Sequence, residues 1–279
     1  MSVSDMSPIA SDKPVPSVPG SPSLGTALIT GAASGIGKAT AARLARDGWS
    51  VHICDIAGAS VEAIKSEVPN VHTWVCDVAE PDQVTDVVRN VLDASGDQIN
   101  VLINNAGISG CTAPIEDIPH DDWRRTMDVN VNGAFNFLRE TVPGMKAQGH
   151  GAIINIASTA ALFGYPQRSV YAASKWAMIG LTKTLAMELG PHGITVNAVC
   201  PGSVDGPRID GVIERDALRR GMVAADVRRI YEGQVSMRKF VTAEDIANMC
   251  AFLASKDARL VSGQVIAVDG HTESLSFPF

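Results

Sequence analysis

Tyr171 and Lys175 lie four residues apart in the stretch Tyr171-Ala172-Ala173-Ser174-Lys175, a spacing that sets two side chains on one helix face, a turn from each other. A phenol titrates near pH 10, so a phenolate base working near neutrality needs its pKa lowered by about 3 units, roughly 4 kcal/mol. A unit positive charge about 4 Å away, at an effective dielectric of ~20, supplies roughly 4 kcal/mol. An ammonium in this position therefore makes Tyr171 a usable general base for an alcohol proton. Ser158 stands 13 residues earlier at the end of an apolar run, where a hydroxyl can hold a substrate oxygen and stabilise charge developing on it.

A second group of residues could hold a nucleotide. The first apolar run, Thr26–Thr30, leads directly into Gly31-Ala32-Ala33-Ser34-Gly35-Ile36-Gly37. Such a turn is tight, lets the backbone approach a pyrophosphate, and hands it to the N–H groups and positive end of the next helix. Gly31, Ser34, Gly35, Ile36 and Gly37 are thus candidate cofactor contacts. Asp55 closes the second run, 18 residues beyond Gly37. A carboxylate there accepts both adenosine-ribose hydroxyls and repels a 2′-phosphate, which points to NAD rather than NADP. Asp77, followed by Val78, closes the third run and is placed to meet the adenine amino group. Asn104-Asn105-Ala106-Gly107 closes the fourth, and small residues there let the backbone lie beside adenosine and ribose. The positive ring of NAD⁺ would add to the field of Lys175 on Tyr171.

Taken in order, Thr30-Gly31…Gly35-Ile36-Gly37, Asn104-Asn105-Ala106-Gly107, Ser158, Tyr171…Lys175 and Pro201-Gly202 resemble the motifs of short-chain dehydrogenases/reductases, over about Leu24 to Gly270. The resemblance implies a Rossmann-type sheet of seven strands, a nicotinamide cofactor and a Ser158–Tyr171–Lys175 site assisted by Asn130. In this reading Asn130 supports a water relay to Lys175, which also holds the nicotinamide ribose. Pro201 and Gly202 shape the nicotinamide pocket, and the Val204 backbone meets the carboxamide. Many relatives carry Thr two residues after this Val, where this chain has Gly206.

The elements that must position these groups are legible as alternating segments. Apolar runs at Thr26–Thr30, Ser50–Cys54, His72–Cys76, Asn100–Ile103, Ala152–Ile156, Thr195–Val199 and Gln264–Val268 are continuous rather than alternating, the habit of parallel strands buried on both faces. Helical segments are expected after Gly35 and over Pro81–Ala94, Asp121–Lys146, Tyr171–Leu189 and Ala243–Ala254. The expected fold class is α/β, a doubly wound parallel sheet flanked by helices in a single domain over 24–279. Residues 1–23 hold five prolines among serines and read as a disordered tail. The stretch around 203–239 breaks the regular spacing and is expected to form a mobile helical lid over the substrate.

Composition narrows the function classes. Lys and Arg total 23 against 30 Asp and Glu, a formal charge of −7 without a basic run, which argues against a nucleic-acid groove or polybasic membrane anchor. Five cysteines without a CxxC pair read as reduced thiols of a cytoplasmic protein. Scattered histidines give no metal-ligand spacing. No secretory or membrane-spanning segment is expected. Apolar residues on more than one face of Tyr171–Leu189, together with the family's habit of pairing such helices, suggest a homo-oligomer, a tetramer. The apolar C-terminal end, Ser274 to Phe279, could tuck into a neighbour.

The leading expectation is an NAD-dependent oxidoreductase of a small polar, sugar-like or anionic secondary alcohol. Arg168 and Arg208, flanked by loop-forming residues, could grip a carboxylate or sulfonate. A reductase of acyl or aromatic ketones, its pocket lined by Phe163, Tyr165, Met222, Tyr231 and Met237, and an NAD(H)-binding sensor without turnover stand as alternatives.

Overall fold

Alternate residues of the first strand, β1 (Thr26–Thr30), point into two different cores, because successive side chains of a strand face opposite ways. Ala27 and Ile29 meet one helical layer and Leu28 the other. Around β1 a computed structural model, which describes residues 23–272, builds a parallel sheet from β2 (Ser50–Asp55), β3 (Val71–Val75), β4 (Val101–Asn104), β5 (Gly151–Ile156), β6 (Ile194–Pro201) and β7 (Val265–Val268). The spatial order is β3-β2-β1-β4-β5-β6-β7. The chain reverses its direction of growth between β1 and β4, so a crevice opens at their C-terminal ends, the place where such sheets bind ligands.

Helices α1 (Gly35–Asp47), α2 (Gly58–Glu67) and α9 (Ala243–Ala254) cover one face, where Leu44, Ile64, Ile246 and Cys250 pack on the sheet. Helices α3 (Pro81–Ser95), α5 (Gly133–Gln148) and α6 (Ser169–Leu189) cover the other, through Val84, Val88, Phe137, Met145 and Leu189. The segment expected as one helix over Asp121–Lys146 is α4 (His120–Met127), a π-helical turn at Asp128–Asn132, and then α5. The expected lid holds α7 (Pro207–Arg220) and α8 (Ala224–Gly233), with a small core of its own around Ile213, Ala217, Val227, Tyr231 and Phe240.

Two expectations need correction. The third and seventh strands are not buried on both faces: they are the two edges of the sheet, where Val75 is 61% exposed and β7 has no fully buried residue. Residues 58–67 form α2, a helix that the apolar pattern did not announce, since it buries only Val61 and Ile64. The proline-rich N-terminal stretch, apart from Ser23, and the apolar C-terminal end lie outside the described residues. Among the described residues no helix is long and apolar enough to cross a membrane.

Candidate active site

The glycine turn is held rigidly from beneath. Asn105 donates from Nδ2 to the carbonyls of Thr30, at 2.9 Å, and Gly31, at 2.7 Å. The Thr30 hydroxyl accepts in return from the backbone N–H groups of Asn105 and Ala106. This interlock brings β1 and β4 so close that a Cβ on Gly31 would lie 2.6 Å from Ala106 Cα, and Gly31 has φ +61. Glycine is required there on both counts. Ser34 is the N-cap of α1 yet makes no side-chain cap bond, and the first turn holds no acidic residue. The N-terminal N–H groups of α1 thus keep their capacity for an external anion, as a pyrophosphate site demands. The sequence pattern alone does not assign this role to Thr30 or Asn105, although both lie within the motifs named above.

Asp55 spans the turn: Oδ2 accepts from the Ala33 N–H and Oδ1 from that of Ala57, each at 3.1 Å. Each oxygen keeps a lone pair, and Ile56 beside it is exposed, an apolar ledge next to the carboxylate. Asp77 is more heavily engaged, pairing with Arg125 at 2.7 Å and accepting from the Ala79 N–H. Val78 is buried, and its carbonyl accepts from Asn136. Asn104 turns inward: its Nδ2 donates to Asn155, which donates to Thr182 on α6, both at 2.9 Å. That buried chain ties β4, β5 and α6 together beneath the site, so the side chain of Asn104 serves the frame.

At the other end of the crevice, Pro201 closes β6 and the Gly202 N–H donates to Val268. Val204 bridges to Val241 through bonds made by its neighbours Ser203 and Asp205. Its own N–H and C=O are left without a partner among the described residues, a ready pair for a carboxamide. Gly206 has φ +135, a conformation that strains Thr. The backbone therefore takes a course here that glycine permits, and α7 starts at the next residue.

Helix α6 and the end of β5 carry the candidate catalytic groups. The buried Lys175 ammonium donates to the Ile156 carbonyl at 2.8 Å and lies 5.8 Å from the Tyr171 ring centre. Burial alone would push the Tyr171 phenol up. The positive charges of Lys175, Arg208 and Arg168, with a hydrogen bond from Ser158, more than reverse this, and its pKa falls below that of a free phenol. Burial also lowers the pKa of Lys175, a shift that Tyr171 opposes and Arg208 reinforces. Ser158 adopts an extended backbone as N-cap of a short 3-10 turn, its Oγ accepting from Ala160 at 3.1 Å. Asn130 sits in the π-turn, bonded to both backbone groups of Ile108 and to the Ser174 hydroxyl at 2.8–2.9 Å. A Cβ on Gly107 would come 3.2 Å from Asn130 Oδ1 and 3.3 Å from Lys175 Nζ, so these two groups share one small space.

Arg168, read from sequence as a loop residue, is the N-cap of α6 and only 6% exposed. Its guanidinium lies 5.2 Å from the Tyr171 ring centre and 5.5 Å from that of Tyr165. Among the described residues it donates once, from Nη2 to the Ser109 carbonyl at 3.1 Å, and its Nε has no partner. Two cation–π contacts worth about 0.5–2 kcal/mol each do not repay the several kcal/mol that an unpaired buried charge costs. Arg208, on the first turn of α7, is exposed. The five residues expected to line an apolar pocket do not come together as one: Tyr231 is buried in the lid core and Met237 is 62% exposed. Tyr165 and Tyr231 instead line a cavity of about 20 Å³ with Thr159, Ser203 and Gln234, room for a water rather than a ring.

Comparison with known proteins agrees with this geometry. A family model described as enoyl-(acyl carrier protein) reductase matches residues 31–271. D-beta-hydroxybutyrate dehydrogenase of Rhizobium meliloti is 36% identical over 253 residues, spanning 88% of this chain and 97% of its own. The solved structure of NAD⁺-bound xylitol dehydrogenase is 34% identical with a TM-score of 0.84, covering 88% of this chain and 98% of its own. That of an actinorhodin polyketide ketoreductase variant with NADPH is 31% identical with a TM-score of 0.85, covering 88% and 96%. With the sheet order, the glycine turn and the Ser158–Tyr171–Lys175 cluster in one crevice, the chain belongs to the short-chain dehydrogenase/reductase family of nicotinamide-dependent oxidoreductases.

Proposed function

We propose that the protein interconverts a secondary alcohol and its carbonyl compound with NAD, Tyr171 acting as general base in oxidation and general acid in reduction. The observation that carries this reading is the field on Tyr171: three cationic side chains and the Ser158 hydroxyl overcome the cost of burying a phenolate. When bound, the oxidised nicotinamide would supply the acceptor for the hydride of the carbinol carbon. Ser158 holds the substrate oxygen and Tyr171 removes its proton. Lys175 supports the phenolate and holds the ribose, and the space it shares with Asn130 suits a relay water that returns the proton to solvent.

Gly31, Ser34, Gly35, Ile36 and Gly37 would hold the pyrophosphate, Asp55 the adenosine ribose, Asp77 and Val78 the adenine side, and Ala106 and Gly107 the neighbouring backbone. Pro201, Gly202 and Val204 would frame the carboxamide. The two free lone pairs of Asp55 favour NAD, and the relative named xylitol dehydrogenase was solved with NAD⁺, the ketoreductase with NADPH. The relative from Rhizobium meliloti is named for a hydroxy acid, in keeping with a small polar substrate. Exposed Trp176 and Met187 on α6 and Phe135 on α5 support association of copies of the chain, and the reading is of a homotetramer. Light scattering reads the mass directly.

The test is a screen of sugars, polyols, hydroxy acids and aryl alcohols with NAD⁺ and NADP⁺, followed by the absorbance of the reduced nicotinamide. Turnover with NAD⁺ that Tyr171→Phe abolishes supports the reading. Nucleotide binding with no turnover of any alcohol or ketone would favour a sensor instead.

A further inference from the structure

Arg168 is a buried cation in search of a counter-ion. It makes no ion pair among the described residues, and neither Asp122 nor Asp216 comes within ion-pairing distance of it. Asp122 accepts from the Cys111 N–H at 2.9 Å, and Asp216 is held by Arg219 at 2.6 Å and Arg220 at 2.9 Å. Its backbone forms the N-cap of the 21-residue α6, whose first turn holds no acidic residue, so the positive end of the helix dipole adds to the guanidinium instead of offsetting it. Arg208 adds a second cation close enough to act on Tyr171. It too has no ion pair among the described residues. The neighbouring Asp205 pairs with Arg228, which also reaches Asp210 at 3.8 Å. Evolving such a site for a neutral alcohol would leave a desolvated guanidinium unsatisfied beside the reacting phenol.

We propose that Arg168, assisted by Arg208 on the lid, binds the anionic group of the substrate, which is a small hydroxy or oxo carboxylate whose carbinol carbon reaches Tyr171. This rests on the reading of Tyr171 as the proton acceptor, and it adds what that reading leaves open, the charge of the substrate. Guanidinium presents paired donors in a plane, which matches a carboxylate. A sulfonate offers the same oxygens in a tetrahedral array, so the two are separable by experiment.

The test uses the full chain loaded with NADH and calorimetric titration of butyrate, butyramide and butanesulfonate. Butyrate is expected to bind about tenfold or more tighter than its neutral isostere, with the sulfonate weaker than the carboxylate. Arg168→Gln should remove this preference, Arg168→Lys should retain part of it, and Arg208→Gln should weaken butyrate by about threefold. The same ratios are read in kcat/KM for β-hydroxybutyrate against its amide. Arg168 also acts on the Tyr171 phenol, so the ratio between acid and amide, and not the absolute rate, decides the matter. Equal binding of butyrate and butyramide by the unaltered protein would overturn the proposal without any variant, as would a preference that survives Arg168→Gln. A sulfonate that binds tighter than butyrate would overturn the carboxylate assignment. Failure of the parent reading looks different: butyrate would still bind selectively, but Tyr171→Phe would leave turnover unchanged.

Discussion

Lys175 donates a hydrogen bond to the carbonyl of Ile156 at 2.8 Å while its ammonium stands 5.8 Å from the centre of the Tyr171 ring. The strand thus fixes the charge that the helix presents to the phenol. Replacing Lys175 with Met removes the foremost favourable charge on the phenolate. The pH dependence of alcohol oxidation needs the deprotonated base, so kcat/KM rises with pH up to the Tyr171 pKa. In the Lys175→Met protein the rise moves to higher pH, and the rate near neutrality falls by about a hundredfold or more. In the reductive direction the same shift extends activity further into alkali.

Asp55 bridges the Ala33 and Ala57 N–H groups, so it shapes the turn, and in the proposed reading it also holds the adenosine ribose. Asp55→Ser shortens the side chain and removes the charge. A lost hydrogen bond to a charged group costs about 1.5–3 kcal/mol, about tenfold to a hundredfold in affinity for NAD. Use of NADP rises at the same time, because the repulsion of its 2′-phosphate is gone. Michaelis constants for the two nucleotides check both halves of this expectation.

How far the sequence reached is clearest where local rules and chemistry coincide. Thr26–Thr30 and Ala243–Ala254 take the bounds expected of them, because an apolar run before a glycine and a segment of helical period are local signals. Tyr171 and Lys175 share a face because the four-residue spacing is itself geometry. The π-turn at Asn130 escaped, since one extra residue within a continuous helical segment leaves no mark in the hydrophobic pattern. The exposure of Val75 escaped too: its run looks like any other, and only the sheet order makes it an edge. Arg168 is the most instructive. Glycine, proline and glutamine around it suggest a surface loop, yet Tyr165 and Tyr171 close over the guanidinium, a contact that no short-range rule encodes.

His52 is fully buried in β2, with both ring nitrogens unpartnered and its ring stacked 4.4 Å from that of His72. Burial first, and the neighbouring His72 second, lower its pKa from 6.5 to about 4. The folded state therefore prefers the neutral ring, and its contribution is fully present above pH 6.5. As pH falls from 6.5 toward 4 the unfolded chain takes the proton first, and about 3 kcal/mol of stability is lost. Urea unfolding across this range should show a steeper decline for the natural chain than for His52→Leu.

Asn155 is the middle link between Asn104 on β4 and Thr182 on α6. Asn155→Leu strands the buried Asn104 amide, while the Thr182 hydroxyl keeps its bond to the Met178 carbonyl, at a cost of about 1–3 kcal/mol. Chemical denaturation should report that loss, while nucleotide affinity in the folded fraction changes little because the link lies below the crevice.

The chain has three tyrosines, and the structure sets one apart. Burial raises the pKa of Tyr165 and of Tyr231, whereas Tyr171 alone is shifted down. An ultraviolet titration of phenolate absorbance isolates that group. One phenolate per chain should form below the pH of a free phenol, disappear in Tyr171→Phe and move upward in Lys175→Met. Three tyrosines that ionise together at or above the ordinary value, or an early phenolate that persists in Tyr171→Phe, would contradict the assignment of Tyr171 as the poised base.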